Sequence, residues 1–271
     1  MSGLPWAVPR YVVAGAAVQG ARHLAGGQGC QDAFKAAPDE AGEAAVLAVA
    51  DGAGSRDRSA LGAHLAVDTA CRILAEELPA PHADGALWSA WISGRGHDVV
   101  AESLRLAAAL LTGDDTAPLA ATLAACVFRP PWAAFLAVGD CTATVLTRDA
   151  PDTPERCHLV LPPPPPPPAF LYAPGGALRL RTFVLWDPAL TGVVLATDGC
   201  TPMVLDHPSV RGLPPEAGPL PSARFFCSLA ASLRANEGDA APLHALLCGP
   251  DAERSGDDLT VLCALNRGVA A

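Results

Sequence analysis

Three strand-like segments follow one another between residues 122 and 147, and only short turns separate them. A parallel crossover needs about a dozen residues or more, usually a helix, so these strands must pair antiparallel or leave for another layer. Gly139-Asp140-Cys141 has the composition of a tight hairpin turn. The sequence therefore predicts an α+β fold of antiparallel sheets covered by helices. The three segments are 122–128, 133–138 and 142–147.

The other elements are predicted from hydrophobic periodicity. Apolar, β-branched runs predict further strands at 11–18, 46–50, 158–161, 181–185, 193–196 and 259–264. Apolar residues at helical spacing predict helices over 59–78, 98–111 and 222–235. A chain that is 51% hydrophobic can bury one large core, so we expect a single domain over residues 1–271.

Seven consecutive prolines at 162–168 predict an extended polyproline II segment of about 20 Å. We interpret this proline-rich segment as a stiff surface connector in preference to a docking site for a partner domain.

Composition excludes several classes of partner. The chain has 18 Lys and Arg against 28 Asp and Glu, and its net charge of −10 argues against nucleic-acid binding. We expect no membrane segment, because no apolar stretch approaches about 20 residues. Its nine cysteines form no CxxC pair, which favours free thiols in a reducing cytoplasm over disulfides or zinc.

Two aspartates stand where buried strands leave the core. Asp51 follows the 46–50 strand and Asp198 follows the 193–196 strand. A desolvated carboxylate is tolerated when it is paired or holds a metal, and this chain has few cations to pair it. Asp51 with the carbonyl of Gly52 can serve two metals about 3.5–4 Å apart, which would activate a water between them. All-oxygen ligands favour Mg²⁺ or Mn²⁺. For any single aspartate, an ordinary turn or cap remains an alternative.

Six motifs occur in order along the chain and together resemble the metal-dependent protein phosphatases, the type 2C serine/threonine phosphatase family, with features of a bacterial subgroup. The resemblance runs from about residue 11 to 265 and implies a sandwich of two antiparallel sheets flanked by helices on both sides, with a binuclear metal site at one edge. The motifs are Gln31-Asp32-Ala33-Phe34, Val49-Ala50-Asp51-Gly52-Ala53-Gly54, Ala121-Thr122-Leu123, Ala137-Val138-Gly139-Asp140-Cys141, Leu195-Ala196-Thr197-Asp198-Gly199 and Asp257-Asp258-Leu259-Thr260-Val261.

The resemblance also implies a role for each acidic residue. Asp51 would bridge the two ions and Gly52 would add its carbonyl. Asp198 and Asp257 would bind the first ion, and Asp140 with Asp198 would hold a weaker third ion.

Asp32 would lie near the metal-bound waters, so Asp51 and Asp32 are the predicted catalytic residues.

The chain departs from the family pattern at three positions. Gln31 replaces a frequent glutamate, Ala53 a histidine proposed as general acid in eukaryotic members, and Gly27 the usual phosphate-binding arginine. Arg22 or His23 could bind phosphate instead, with surface charge or turn packing as the alternative.

His64, Arg56 and Arg58 are further candidates near the Asp51 loop, and for each a solvated helix position is the alternative.

The leading hypothesis is therefore an enzyme that hydrolyses phosphoserine or phosphothreonine on a protein. The resemblance implies a substrate phosphorylated by a serine/threonine kinase, and we expect a cytoplasmic monomer. One alternative is a weak or inactive phosphoprotein-binding regulatory module of the same fold. The other is a small-molecule phosphohydrolase.

Overall fold

Two five-stranded antiparallel sheets pack face to face, and helices cover both outer surfaces. This arrangement is seen in a computed structural model that describes residues 10–111, 115–150, 152–250 and 255–267. It confirms the predicted α+β sandwich. The single-domain expectation over 1–271 stays a prediction, and part of that range lies outside the described residues.

The strands are β1 (Tyr11–Val18), β2 (Ala33–Pro38), β3 (Ala45–Ala50), β4 (Leu123–Arg129), β5 (Trp132–Val138), β6 (Thr142–Thr147), β7 (Arg156–Leu161), β8 (Arg181–Trp186), β9 (Leu190–Ala196), β10 (Leu205–Asp206), β11 (Leu220–Pro221) and β12 (Leu259–Asn266). One sheet has the order β1-β12-β9-β6-β7 and the other β2-β3-β4-β5-β8, while β10 and β11 form a separate pair. The helices are α1 (Ala21–Ala25), α2 (Ser59–Leu74), α3 (Gly85–Leu110), α4 (Thr201–Val204), α5 (Ala223–Ala235) and α6 (Ala241–Leu247).

The position of strand β3 between two cores explains why its sequence is continuously apolar. Val46 and Ala48 face the helical layer of α2 and α3, whereas Leu47 and Val49 face the opposite sheet. Successive side chains of a strand point to opposite faces, so a strand between two cores needs apolar residues on both. The outer core also stacks Trp88 of α3 on Trp132 of β5, with ring centroids 5.6 Å apart.

The other outer layer is formed by α5 and α6, which cover the sheet containing β1 and β12. Phe226 and Leu233 of α5 and Leu243 of α6 are buried against this sheet. None of the helices in the described residues has the length and apolar character needed to cross a membrane.

Several predicted boundaries were wrong. Helix α3 begins at Gly85, well before the predicted start at 98, because Asp84 caps it by accepting a hydrogen bond from the Leu87 N–H at 2.9 Å. Helix α2 ends at Leu74 instead of 78. Strand β2 and helix α6 were not predicted.

The turn at Gly139-Asp140-Cys141 is not a hairpin turn, contrary to prediction. It carries the chain from β5 in one sheet to β6 in the other. Gly139 has φ of +102°, and a Cβ at this position would lie 2.6 Å from Thr122 Cγ2, so glycine is required. Asp140 therefore stands in a crossover at the end of the sandwich.

The proline run leaves β7 and lies on the surface, with its residues exposed or half-buried. It bends at residues 165–167, so the run is not extended over its whole length as predicted.

Phe135 offers a test of the packing between the sheets. Phe135→Ala should lower the free energy of unfolding by about 3–5 kcal/mol, because this fully buried ring fills the space between the two sheets. Leu178→Ala, at a side chain that is 88% exposed, is the control and should change it by less than about 0.5 kcal/mol. Urea unfolding followed by circular dichroism measures both, and equal effects would contradict the assignment of Phe135 to this core.

Candidate active site

The predicted site residues converge because the strands that carry them end at the same edge of the sandwich. Antiparallel register pairs Ala33 with Ala50 at the end of β3, and Thr142 with Ala196 at the end of β9. In the same way, Val18 at the end of β1 pairs with Leu259 at the start of β12. The segments carrying Asp32, Asp51, Asp140, Asp198 and Asp257 therefore emerge together.

The Asp51 loop is held by backbone and hydroxyl contacts. The Asp51 N–H donates to Thr122 Oγ1 at 3.0 Å, and the Thr122 N–H donates back to the Asp51 carbonyl at 2.8 Å. At Gly52, a Cβ would lie 2.9 Å from the Gln31 carbonyl oxygen, so only glycine fits. The bridge between Gly52 and Ala121 uses the Asp51 carbonyl and the Ala53 N–H, which leaves the Gly52 carbonyl available to a ligand.

Asp198 and Asp257 face each other from neighbouring strands. Asp198 opens the 3-10 helix Asp198–Cys200 directly after β9, and Asp257 precedes β12. Asp257 Oδ2 lies 3.0 Å from Arg22 Nη2, while its Oδ1 accepts from the Asp258 N–H at 3.1 Å. Arg22 thus reaches the acidic cluster from α1.

Asp140 is supported by an arginine that the sequence did not single out. Arg181 donates to the Gly139 carbonyl at 2.9 Å and to the Pro162 carbonyl at 3.0 Å, so it ties the crossover to the start of the proline run. Asp140 Oδ1 is buried and has no hydrogen-bond partner among the described residues. It is free to take a ligand.

Asp32 is buried beside Asp51 and belongs to a network with two threonines. Thr197 Oγ1 donates to Asp32 Oδ2 at 2.8 Å and accepts from the Thr260 N–H at 3.0 Å. Asp32 Oδ1 is buried and unpartnered within the part of the chain that is described. The two threonines were not predicted, although both occur in the family motifs, Thr197 directly before Asp198 and Thr260 three residues after Asp257.

An open cavity of about 380 Å³ contains all the predicted site residues except Asp32. Phe170 and Pro168, from the end of the proline run, form part of its wall. Its lining comprises Arg22, His23, Asp51, Gly52, Ala53, Gly54, Ser55, Asp140, Pro168, Phe170, Asp198 and Asp257.

Burial and mutual repulsion raise the carboxyl pKa values in this cluster. Burial, reinforced by Asp32 and Asp198, raises the pKa of Asp51 to about 10. Burial with Asp140 and Asp257 nearby raises the pKa of Asp198 to about 6. Burial also raises the pKa of Asp140. Without a cation, burial and repulsion both disfavour the ionised form of these groups.

The donor set fits hard divalent cations. It consists of carboxylate oxygens and the Gly52 carbonyl, which suit Mg²⁺ and Mn²⁺. The Oδ1 atoms of Asp32 and Asp140 have no hydrogen-bond partner among the described residues. Metal-free carboxylates repel one another, and within the described ranges no three Asp, Glu, His or Cys side chains already stand close enough to hold an ion.

Asp258 is the main residue that sequence reasoning missed. Its carboxylate is 2% exposed and accepts from the Gly20 N–H at 2.7 Å and the Gln31 N–H at 2.6 Å. His23 Nδ1 lies 2.9 Å from Asp258 Oδ2. The available signal was the Asp257-Asp258 doublet directly before a strand, which places a second carboxylate next to the predicted ligand.

The remaining candidates lie elsewhere. His64, Arg56 and Arg58 are exposed on or before α2 and do not line the cavity. Gln31 is buried, and its Oε1 accepts from Ser59 Oγ at 3.0 Å, so its side chain anchors the start of α2.

The raised pKa values predict how pH affects the metal-free protein. A carboxyl group whose pKa is higher in the folded state than its ordinary value of 3.8 binds more protons when folded. The free energy of unfolding therefore falls as the pH rises from about 4 to the Asp198 pKa of about 6. It falls further toward the Asp51 pKa of about 10. In EDTA, the melting temperature should fall by about 5 °C or more between pH 5 and pH 8. Calorimetry with excess Mn²⁺ should show a smaller fall, because the metal binds the deprotonated carboxylates. A melting temperature that rises over this range in EDTA would contradict the prediction.

Comparisons with known proteins find a matching family model and similar folds. Residues 19–154 match the family model described as Protein phosphatase 2C. Among solved structures, serine/threonine phosphatase Stp1 from Staphylococcus aureus is 12% identical with a TM-score of 0.61, covering 94% of this chain and 95% of that one. The serine-threonine phosphatase 2C from Toxoplasma gondii is 15% identical with a TM-score of 0.61, covering 97% and 96%. RsbX in complex with magnesium is 14% identical with a TM-score of 0.54, covering 95% and 96%.

These identities show a shared fold. No match to the chain was found among curated proteins. Because the family model spans half of the 271 residues, the chain belongs to the protein phosphatase 2C family.

Proposed function

We propose that this protein hydrolyses phosphoserine and phosphothreonine on proteins, with two bound Mg²⁺ or Mn²⁺ ions. The observation that carries the proposal is the convergence of Asp51, Asp198 and Asp257 on one open cavity. Mutually repelling carboxylates at a surface cavity destabilise the metal-free protein, so a chain without metal chemistry has no reason to retain them.

The proposed ligands are those that the sequence predicted. Asp51 would serve both ions, and the Gly52 carbonyl would be a further ligand. Asp198 and Asp257 would hold the first ion, and Asp140 with Asp198 a weaker third one. The ions would lower the pKa of a bound water and offset the charge of the phosphoryl oxygens. The structure of RsbX with magnesium supports a divalent cation in this fold.

Two residues have proposed roles around the substrate. Asp32 would accept a hydrogen bond from water through its unpartnered Oδ1. Arg22 would bind the phosphate, since its side chain is 68% exposed and its guanidinium already lies at the cavity beside Asp257. A cation on Asp257 would offset that carboxylate and free Arg22 for the phosphate oxygens.

A protein substrate is favoured by a second cavity of about 880 Å³ that shares Pro168 and Phe170 with the first. It runs along residues 164–168 of the proline segment and reaches Arg179 and the exposed Leu178. This groove has room for residues flanking a phosphorylated side chain, which a small phosphorylated metabolite would not use. Apolar walls with two arginines, Arg179 and Arg181, suit an extended peptide that also carries acidic groups.

We further propose that the substrate is phosphorylated by a serine/threonine kinase and that the protein acts as a cytoplasmic monomer with one domain. The nine cysteines are all free, which suits a reducing compartment.

The second candidate is a weak or non-catalytic phosphoprotein-binding module of the same fold. Gln31 favours it, because a neutral amide bound to Ser59 supplies no charge to the second ion.

Activity measurements separate these candidates. With Mn²⁺ or Mg²⁺ the protein should hydrolyse p-nitrophenyl phosphate and a phosphothreonine peptide, and EDTA should abolish both activities. Asp51→Asn should retain less than about a tenth of the rate, a loss above ~1.4 kcal/mol of transition-state stabilisation. Peptide binding without turnover would favour the second candidate, and turnover of small phosphate esters alone would favour a small-molecule phosphohydrolase.

Asp140 and Asp198 should respond differently to metal. Asp140→Ala should be partly rescued by excess Mn²⁺, because Asp140 is proposed to hold only the weak third ion, whereas Asp198→Ala should not be rescued. The measurement is rate against Mn²⁺ concentration for both variants. A wild-type response curve for Asp140→Ala would show that this residue only supports its turn, at a cost of about 1 kcal/mol in stability.

A further inference from the structure

His23 and Asp258 form a buried pair at the wall of the cavity. His23 Nδ1 lies 2.9 Å from Asp258 Oδ2, and the two side chains are only 12% and 1% exposed. The pair connects α1 to the segment before β12, which lie far apart in sequence and meet at the candidate site.

Asp258 is held firmly beside the imidazole of His23. Its two oxygens already accept the N–H groups of Gly20 and Gln31, so the carboxylate is fixed by the backbone on both sides. His23 Nδ1 is buried against this carboxylate at ion-pair distance, but its geometry does not complete a hydrogen bond, so Asp258 would hold the protonated imidazole by charge. This leaves Nε2 as the ring nitrogen that can exchange a proton elsewhere.

Nε2 faces the loop that follows Asp51. A Cβ added to Gly54 would lie 3.3 Å from His23 Nε2, which places that nitrogen beside the loop, and both residues line the cavity. The imidazole therefore presents its exchangeable position to the space where a phosphorylated side chain would enter.

Few other groups in this cavity can donate a proton at neutral pH. Arg22 stays charged, because an arginine guanidinium does not release its proton in proteins. The carboxylates are proposed to hold cations, and Ala53 has no proton to give. Ser55 is exposed and its hydroxyl is a poor acid. His23 is the one imidazole among the described lining residues.

We propose that His23 is the general acid of the reaction and that Asp258 is the residue that positions it; this inference rests on the proposed phosphatase function. Water oxygen bonds to phosphorus while the bond between phosphorus and the serine or threonine oxygen breaks. The electron pair of the broken bond stays on the leaving oxygen, which takes the proton from Nε2 of the imidazolium. The attacking water gives one proton to solvent and His23 regains one, so the enzyme is unchanged.

Leaving-group chemistry provides the test. A serine or threonine alkoxide needs a proton to leave, whereas p-nitrophenolate leaves without one. His23→Gln should therefore lower kcat on a phosphothreonine peptide by about a hundredfold or more and change kcat on p-nitrophenyl phosphate only a few-fold. Phenyl phosphate, a small ester whose phenol has a pKa of about 10 like tyrosine, should show an intermediate loss.

Asp258→Asn should give the same selective loss, in smaller measure, because a neutral amide does not attract the imidazolium. His64→Gln on the exposed face of α2 is the matched control and should alter neither substrate. Calorimetric Mn²⁺ titration and thermal melting show whether each variant keeps its site and fold. If Asp258→Asn does not fold, the substrate-dependent loss in His23→Gln tests the proposal without it.

Equal losses on the peptide and on both small esters would overturn the inference, because they would assign His23 to phosphate binding or to structure. An unchanged peptide rate would overturn it as well. In both cases wild-type turnover of p-nitrophenyl phosphate would leave the proposed function standing. A wild type that hydrolyses none of the three substrates with Mn²⁺ present would instead contradict the phosphatase function, and the inference with it.

Discussion

The clustering of half-buried carboxylates at one edge of the sandwich is the constraint around which this structure is organised. Asp51, Asp198 and Asp140 all have raised pKa values, and burial is the main cause in each case. A fold tolerates such a cluster only where rigid neighbours keep the groups in place and a cation or protons offset the charge. The end of a two-sheet sandwich meets this condition, because every strand that delivers an aspartate is anchored along its length in a core.

The contacts around the cluster divide into two kinds. Thr122 and Thr197 hold the loops of Asp51 and Asp32 through hydroxyl groups, which adds hydrogen bonds without adding charge. Asp258 is a buried carboxylate of a different type, since it accepts two backbone N–H groups and faces His23. The first kind keeps the proposed ligands available, and the second joins three distant segments of the chain.

The substrate side of the cavity depends on the crossover at Asp140 and on the proline run. Arg181 binds the carbonyls of Gly139 and Pro162, so the wall of the site and the loop beside it are held by one guanidinium. The bends at residues 165–167 bring Pro168 and Phe170 to the cavity, where they also line the adjoining groove. A loop interpreted as a connector thus shapes access to the candidate site.

The sequence by itself determined most of the strands, the antiparallel α+β class and the aspartates at strand ends, because apolar periodicity and turn residues act locally and the motifs keep their order. Only the tertiary structure decided that β5 and β6 belong to different sheets. A short turn has the same sequence pattern whether it joins two strands of one sheet or crosses between two sheets. The pairing of His23 with Asp258 likewise joins residues that no local pattern connects. Side-chain contacts across distant segments follow from packing, and packing is a property of the whole chain.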